Sequence, residues 1–123
     1  MNNSPLVSLI IRTKNEERWL SSCLGAVFSQ RYKAFEVILV DNESTDKTVE
    51  KARQYPIKKI VTISNFLPGR ALNLGIEESK GKYIVRVDSD DYVNENFLFL
   101  LNEFLEQNKY MDAVACDYFL VDE

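Results

Sequence analysis

Tyr83-Ile84-Val85-Arg86-Val87-Asp88-Ser89-Asp90-Asp91 decides how the chain is read, because an apolar strand ends there at once in three carboxylates. A short run of β-branched and aromatic residues marks a strand buried in a parallel sheet, and acids directly after it put charge at the strand's carboxyl end. In open α/β sheets that end opens into the crevice where ligands bind. Asp88 and Asp90, two positions apart across Ser89, can converge on one divalent cation. Mg²⁺ and Mn²⁺ favour oxygen ligands and often take one or two carboxylates, with substrate phosphates filling the shell. The same residue types are ordinary turn and capping residues, so the motif takes its meaning from its surroundings.

Working outward, the chain alternates strands and helices. Residues 6–11 form an apolar run broken only by Ser8 and followed by Arg12-Thr13-Lys14-Asn15, which predicts a first strand. Trp19, Leu20, Cys23, Leu24, Val27 and Phe28 then recur at spacings of three and four, one face of a helix from Glu16 to about Gln30. Asn15 is its predicted N-cap, with Glu16 and Glu17 at the positive end of the helix dipole. Residues 35–40 predict a second strand ending in Asp41-Asn42. A short helix to about Gln54 follows, capped by Ser44 or Thr45 and with Val49 and Ala52 facing inward.

Residues 59–63 predict a third strand, residues 64–69 a loop, and residues 70–79 a helix with Ala71, Leu72 and Ile76 inward. Gly75 weakens that helix, since an interior glycine costs about 1 kcal/mol against alanine, and so marks a close packing contact; Gly81 is a natural stop. After the acidic strand, a helix capped by Asn94 presents Phe97, Leu98, Leu101, Phe104 and Leu105 on one face. Residues 113–121 predict a last strand. This alternation, with no repeat or low-complexity tract, predicts one α/β domain with a mostly parallel sheet and helices on both faces.

Parallel crossovers gather the ends of these strands along one edge, bringing together Thr13, Lys14, Asn15, Asp41, Asn42 and Asp88. That edge suits a nucleotide. No G-x-G-x-x-G follows the first strand and no G-x-x-x-x-G-K-[ST] occurs, so backbone amides are not expected to cradle the phosphates. A carboxylate-held metal is the other common way to neutralise a diphosphate. Asp41 and Asn42 offer an acceptor and a donor to a base or ribose, and Thr13 and Lys14 can line the same pocket.

The 123 residues carry a net charge of -4, which argues against broad binding to nucleic acid or anionic lipid. Cys23 and Cys116 sit in apolar stretches, as buried reduced thiols do, and imply a cytoplasmic setting. With no histidine and two cysteines, zinc sites and histidine-based triads have no support. The longest hydrophobic run, residues 97–101, is far too short to span a bilayer.

The segments VSLIIRTKNEERWLSSCL, FEVILVDNESTDKT, GRALNLGIEESKGKYI and VRVDSDDYV, in that order, resemble family 2 glycosyltransferases of the GT-A type across nearly the whole chain. The resemblance implies a GT-A, Rossmann-like fold that binds a nucleotide-diphosphate-sugar with Mg²⁺ or Mn²⁺ and transfers the sugar to an acceptor the sequence does not identify. It implies Thr13, Lys14 and Asn15 at the nucleotide pocket, and Asp41 with Asn42 facing the base. Asp88 would approach the ribose or metal, Asp90 would be the main metal ligand, and Arg70 would lie near the diphosphate or sugar. Arg70 at a helix start stands beside a positive dipole end, which suits an anionic neighbour.

In that family an acceptor-binding half with the general base follows the last predicted strand. Residues 1–123 are therefore expected to be the nucleotide-sugar-binding domain alone, with Asp112, Asp117, Asp122 and Glu123 not assigned as the base. A sheet lacking neighbours on one side invites pairing with a second copy, so a homodimer is expected, and any membrane association would be peripheral, through partners. The alternatives are a non-catalytic nucleotide-binding or assembly module and a receiver-like signalling domain. The second would need an acidic pair where this chain has Arg12-Thr13-Lys14-Asn15.

Overall fold

The computed structural model of the protein describes residues 4–64 and 68–115. Four strands, β1 (Val7–Thr13), β2 (Phe35–Asp41), β3 (Lys59–Thr62) and β4 (Tyr83–Arg86), alternate with helices α1 (Leu20–Phe28), α2 (Thr48–Ala52), α3 (Pro68–Glu78) and α4 (Phe97–Gln107). The strands form one sheet in the order β3-β2-β1-β4, and every pairing is parallel. The chain steps outward from β1 through β2 to β3 and then crosses back to the far side of β1. Strand order thus reverses at β1, and the crevice between the ends of β1 and β4 is the topological switch point, the usual ligand position in such sheets.

Burial explains why β1 and β2 are apolar at almost every position. Val7, Leu9 and Ile11 with Val37 and Leu39 face a core filled by Leu20, Cys23, Leu24 and Val27 of α1, Ala52 of α2 and Leu98 of α4. Ile10, Ile38 and Val40 face the opposite side, where Ala71, Leu72 and Leu74 of α3 cover them together with Ile63. With both faces covered, period-two alternation divides one apolar run between two cores. On the α3 side β4 is less covered: Ile84 is 41% exposed.

Two glycines set how closely elements approach β1. A Cβ on Gly75 would lie 2.5 Å from Ile10 Cγ2, so α3 rests its backbone on the sheet at that point. A Cβ on Gly81 would meet the backbone of Ser8 and Leu6 at 2.7 and 2.8 Å. Gly81 N–H donates instead to Ser8 Oγ at 2.8 Å, Ser8 Oγ to Glu36 at 2.6 Å, and Lys80 N–H to the same carboxylate at 2.8 Å. These bonds fix where β4 enters the sheet.

Several expectations are corrected. The helix predicted from Glu16 begins at Leu20, and Asn15 does not cap it, because its backbone lies in the left-handed region at φ 50° and its side chain bonds elsewhere. Neither Ser44 nor Thr45 caps α2, which ends at Ala52; Ser44 is committed to Asp41, and Asp46 receives the Thr48 N–H at 3.0 Å. Ile76 faces solvent because the small pair Ala71 and Gly75 takes the sheet-facing side of α3. α4 starts at Phe97 rather than at an Asn94 cap, and its Phe104 is exposed while Leu98 and Asn102 turn inward. Residues 113–115 are not in a strand, and the remainder of the strand predicted to residue 121 lies outside the described residues, as does Cys116.

Candidate functional site

Thr13 and Asp41 are partners in register where β1 and β2 end, and Asn42 N–H extends the ladder to Thr13 O at 3.0 Å. All three residues are buried. Ser44 satisfies the Asp41 carboxylate, its N–H donating to Oδ2 at 2.9 Å and its hydroxyl to Oδ1 at 2.6 Å. Thr13 Oγ1 is buried and has no hydrogen-bond partner among the described residues. A buried hydroxyl in that condition carries a desolvation cost that a ligand's polar atom would relieve.

The loops after β1 and β2 are stitched together. Asn15 N–H donates to Ser44 Oγ at 2.9 Å, while Asn15 Oδ1 accepts the N–H of Thr45 at 2.8 Å and of Asp46 at 3.4 Å. Glu16 N–H donates to Thr48 Oγ1 at 2.9 Å, Glu17 N–H to Asp46 Oδ2 at 3.3 Å, and Lys51 Nζ to Glu17 O at 2.7 Å. The Thr48 hydroxyl also donates to Asp46. Desolvation would raise the Asp46 pKa, but these bonds from Thr48 and Glu17 outweigh it and hold the carboxyl below its ordinary value. Asn15 therefore serves as an internal strut, and positive φ at both Asn15 and Glu43 marks where the two loops turn back.

β4 leaves the sheet earlier than β1. Its last pair is Arg86 with Ile10, and Val87 N–H reaches Ile10 O at 3.2 Å before the acids begin. Asp88, Asp90 and Asp91 each place a carboxylate oxygen within 4.8 Å of the others. Asp88 is half-buried, the other two are exposed, and Arg86 Nε stands 3.4 Å from Asp88 Oδ1. Desolvation and then repulsion from Asp88 and Asp90 raise the Asp91 pKa. Glu16 is raised as well, by burial and then by the charges of Asp90 and Asp46, so it stands within electrostatic reach of both loops. Crowded carboxylates with this little compensation are the donor set that a hard divalent cation takes.

The fold thus gathers Thr13, Asn15, Asp41 and Asn42 into one connected group and Asp88 and Asp90 into another. Lys14 is exposed just past β1, and Arg70 is exposed in the first turn of α3; among the described residues neither makes a hydrogen bond or ion pair with these groups. Asp91 joins Asp88 and Asp90, a third carboxylate visible in the sequence but not assigned from it. Ser44 and Glu16 were not singled out for a site either. Their positions depend on how two loops 29 or more residues apart in sequence meet, which no local pattern encodes.

A parallel α/β sheet with a polar crevice at its switch point and clustered acids at one strand end is the architecture of the GT-A class. The sequence model of Glycosyl transferase family 2 matches residues 8–122, and the chain belongs to that family. It is 34% identical over 125 residues to the glycosyltransferase GlyG of Streptococcus pneumoniae, a match covering 98% of this chain and 41% of that protein. Residues 1–349 of Staphylococcus aureus TarS in complex with UDP-GlcNAc superpose with a TM-score of 0.78 at 27% identity, covering 84% of this chain and 32% of that one. The mannosyltransferase PcManGT from Pyrobaculum calidifontis, solved with GDP-Man and Mn²⁺, gives 0.71 at 26% identity, covering 82% and 32%. The chain spans less than half the length of the curated relatives it matches. Among the described residues no helix is long and apolar enough to cross a membrane.

Proposed function

We propose that this chain forms the donor site of a glycosyltransferase, holding a nucleotide-diphosphate-sugar through a divalent cation. The observation that carries the reading is the position of Asp88, Asp90 and Asp91, three closely grouped acids at the switch point beside the buried Thr13, Asp41 and Asn42. Asp90 and Asp88 would hold Mg²⁺ or Mn²⁺, with Asp91 close by. When bound, the cation supplies charge neutralisation for the diphosphate as it departs from the sugar.

The chain's own residues bind and orient. Asp41 accepts from Ser44 through one N–H and one hydroxyl, and the hydroxyl is the donor that a base N–H would replace. Asn42 and the unpartnered Thr13 Oγ1 line the same end, with Lys14 and Arg70 approaching the phosphates from solvent. Asn15 would act on the nucleotide through the Ser44 loop that it fixes. Self-association as a dimer through an exposed edge of the sheet belongs to the same reading; a monomer by sedimentation at high concentration would count against it.

Calorimetric titration of UDP and GDP, with and without Mn²⁺, on the wild type and on Asp90→Ala tests the proposal. Metal-dependent binding that disappears in the variant is the expected result. No binding of either nucleotide by the folded chain would refute it. Metal-dependent binding in a chain that transfers no sugar to any acceptor would favour a non-catalytic nucleotide-binding module.

A further inference from the structure

The segment that carries the acids is held from α1, a helix that supplies none of the proposed ligands. Gln30 lies two residues past the end of α1 and is completely buried. Its Nε2 donates to the carbonyl of Asn94 at 2.6 Å and to that of Ala26 at 3.3 Å, while its Oε1 accepts the Leu98 N–H at 3.0 Å. Leu98 is in the first turn of α4, where N–H groups have no partner inside the helix. Beside it, Arg31 N–H donates to Glu95 O at 2.9 Å. At the other end of the same segment, the buried thiol of Cys23 approaches the Asp88 carbonyl at 3.5 Å. Residues 88–98 are therefore anchored by α1 at both ends, with Asp90 and Asp91 exposed between the anchors.

A cap for α4 would need only the Gln30 carbonyl. The amide nitrogen reaches past the helix to the loop itself, so the side chain fixes the loop's path as well as the helix start. Three like charges within 4.8 Å would spread apart on a free loop. Ties of this kind hold them together before any cation arrives, as groups outside a metal's own ligands commonly do.

We propose that Gln30, seconded by Cys23, is a positioning residue that pre-forms the Asp88-Asp90-Asp91 group by clamping residues 88–98 to α1. The clamp's purpose rests on the metal reading above, while the clamp itself is measurable without metal. Substituting Gln30→Met keeps the apolar volume and removes both loop contacts. The control is Leu24→Ala, which opens the core beneath the same helix and removes none of the hydrogen bonds to the loop.

Two readouts on the full chain decide the matter: amide hydrogen exchange without metal, and Mn²⁺ affinity from the free-ion electron paramagnetic resonance signal. The informative amide is Asp91, whose acceptor, the Asp88 carbonyl, Gln30 never contacts. In Gln30→Met, exchange at Asp91, Phe97 and Leu98 should quicken at least about tenfold while β1 and β2 keep their protection, and Mn²⁺ should bind about tenfold more weakly. Leu24→Ala should lower the melting temperature yet leave Mn²⁺ affinity within about twofold, since it acts on the fold as a whole. Should Gln30→Met fail to fold, Cys23→Ala carries the test, with a change of about threefold in the same direction.

Unchanged exchange at Asp91 would overturn the clamp, as would an equal loss of Mn²⁺ affinity in Leu24→Ala. Faster exchange confined to the loop in a chain whose wild type binds no Mn²⁺ would uphold the clamp and overturn the metal reading.

Discussion

At the ends of β1 and β2, Asp41 and Asp46 spend their oxygens on donors within the chain, and the loops around them are joined by hydrogen bonds in both directions. At the end of β4, Asp88, Asp90 and Asp91 crowd together; among the described residues only the Arg86 side chain pairs with one of them, Asp88, and their loop is tied to Cys23 of α1 and to Gln30 just past it. The first region is shaped before any ligand arrives. The second holds crowded charge, which together with desolvation raises the Asp91 pKa. A nucleoside needs fixed hydrogen-bonding edges and a cation needs unneutralised oxygens, and under the proposed function the two sides of the crevice would answer these needs differently.

The strongest way to break the contrast is to shift one side against the other. In Gly81→Ala the new Cβ would meet the backbone of Ser8 and Leu6, which have no room to yield. A loss of about 3 kcal/mol is expected, a drop of about 10 °C in Tm by calorimetry. Mn²⁺ affinity should suffer more than nucleoside affinity, because β4 moves while β1 and β2 stay paired.

Asn15→Ala strikes the other side. It removes the acceptor for Thr45 and Asp46 and leaves a left-handed backbone that alanine tolerates poorly. Denaturant unfolding should record a loss of about 1–2 kcal/mol, with nucleoside affinity reduced and Mn²⁺ affinity kept.

Asp91→Asn should act in opposite directions on stability and binding. The folded Asp91 pKa is raised, so the folded chain binds the proton more tightly than the unfolded one. Ionisation therefore penalises folding as pH rises through the ordinary carboxyl range, and the penalty is complete at neutral pH. Removing the charge should raise the metal-free Tm by about 2 °C at pH 7 and weaken Mn²⁺ binding.

The smallest effect concerns acid pH. The Asp46 pKa is depressed, so its contribution is present above its ordinary value of 3.8 and is lost as pH falls through the folded value. The stability gap between wild type and Asp46→Asn should therefore narrow below about pH 4 in an acid titration followed by circular dichroism.

The sequence read well where one rule acted alone. Each strand from β1 to β4 lies within a residue or two of its predicted place, since β-branched runs bounded by polar residues have no competing pattern. Gly75 marked a close contact, and Ile10 proves to be its partner. The reading failed where a distant residue took over a local role. Asn15 looks like a helix cap, but the loop after β2 claims its side chain. Gln30, 68 residues from Leu98 in the chain, bonds the first turn of α4, a helix whose Asn102 turns inward and whose Phe104 turns out. In the site, the acids and strand-end polar residues were legible as residue types at strand ends. Which of them neutralise each other and which remain uncompensated was set by loops meeting in space.

The most direct test compares a nucleoside with its diphosphate. Calorimetric affinities of uridine and UDP, or of guanosine and GDP if the uridine pair does not bind, would be measured with and without Mn²⁺. A pre-built nucleoside side and a cation-dependent diphosphate side predict weak nucleoside binding indifferent to Mn²⁺, and diphosphate binding strengthened at least about tenfold by it. Nucleoside binding as dependent on Mn²⁺ as the diphosphate, or diphosphate binding that ignores the ion, would contradict the division of the crevice.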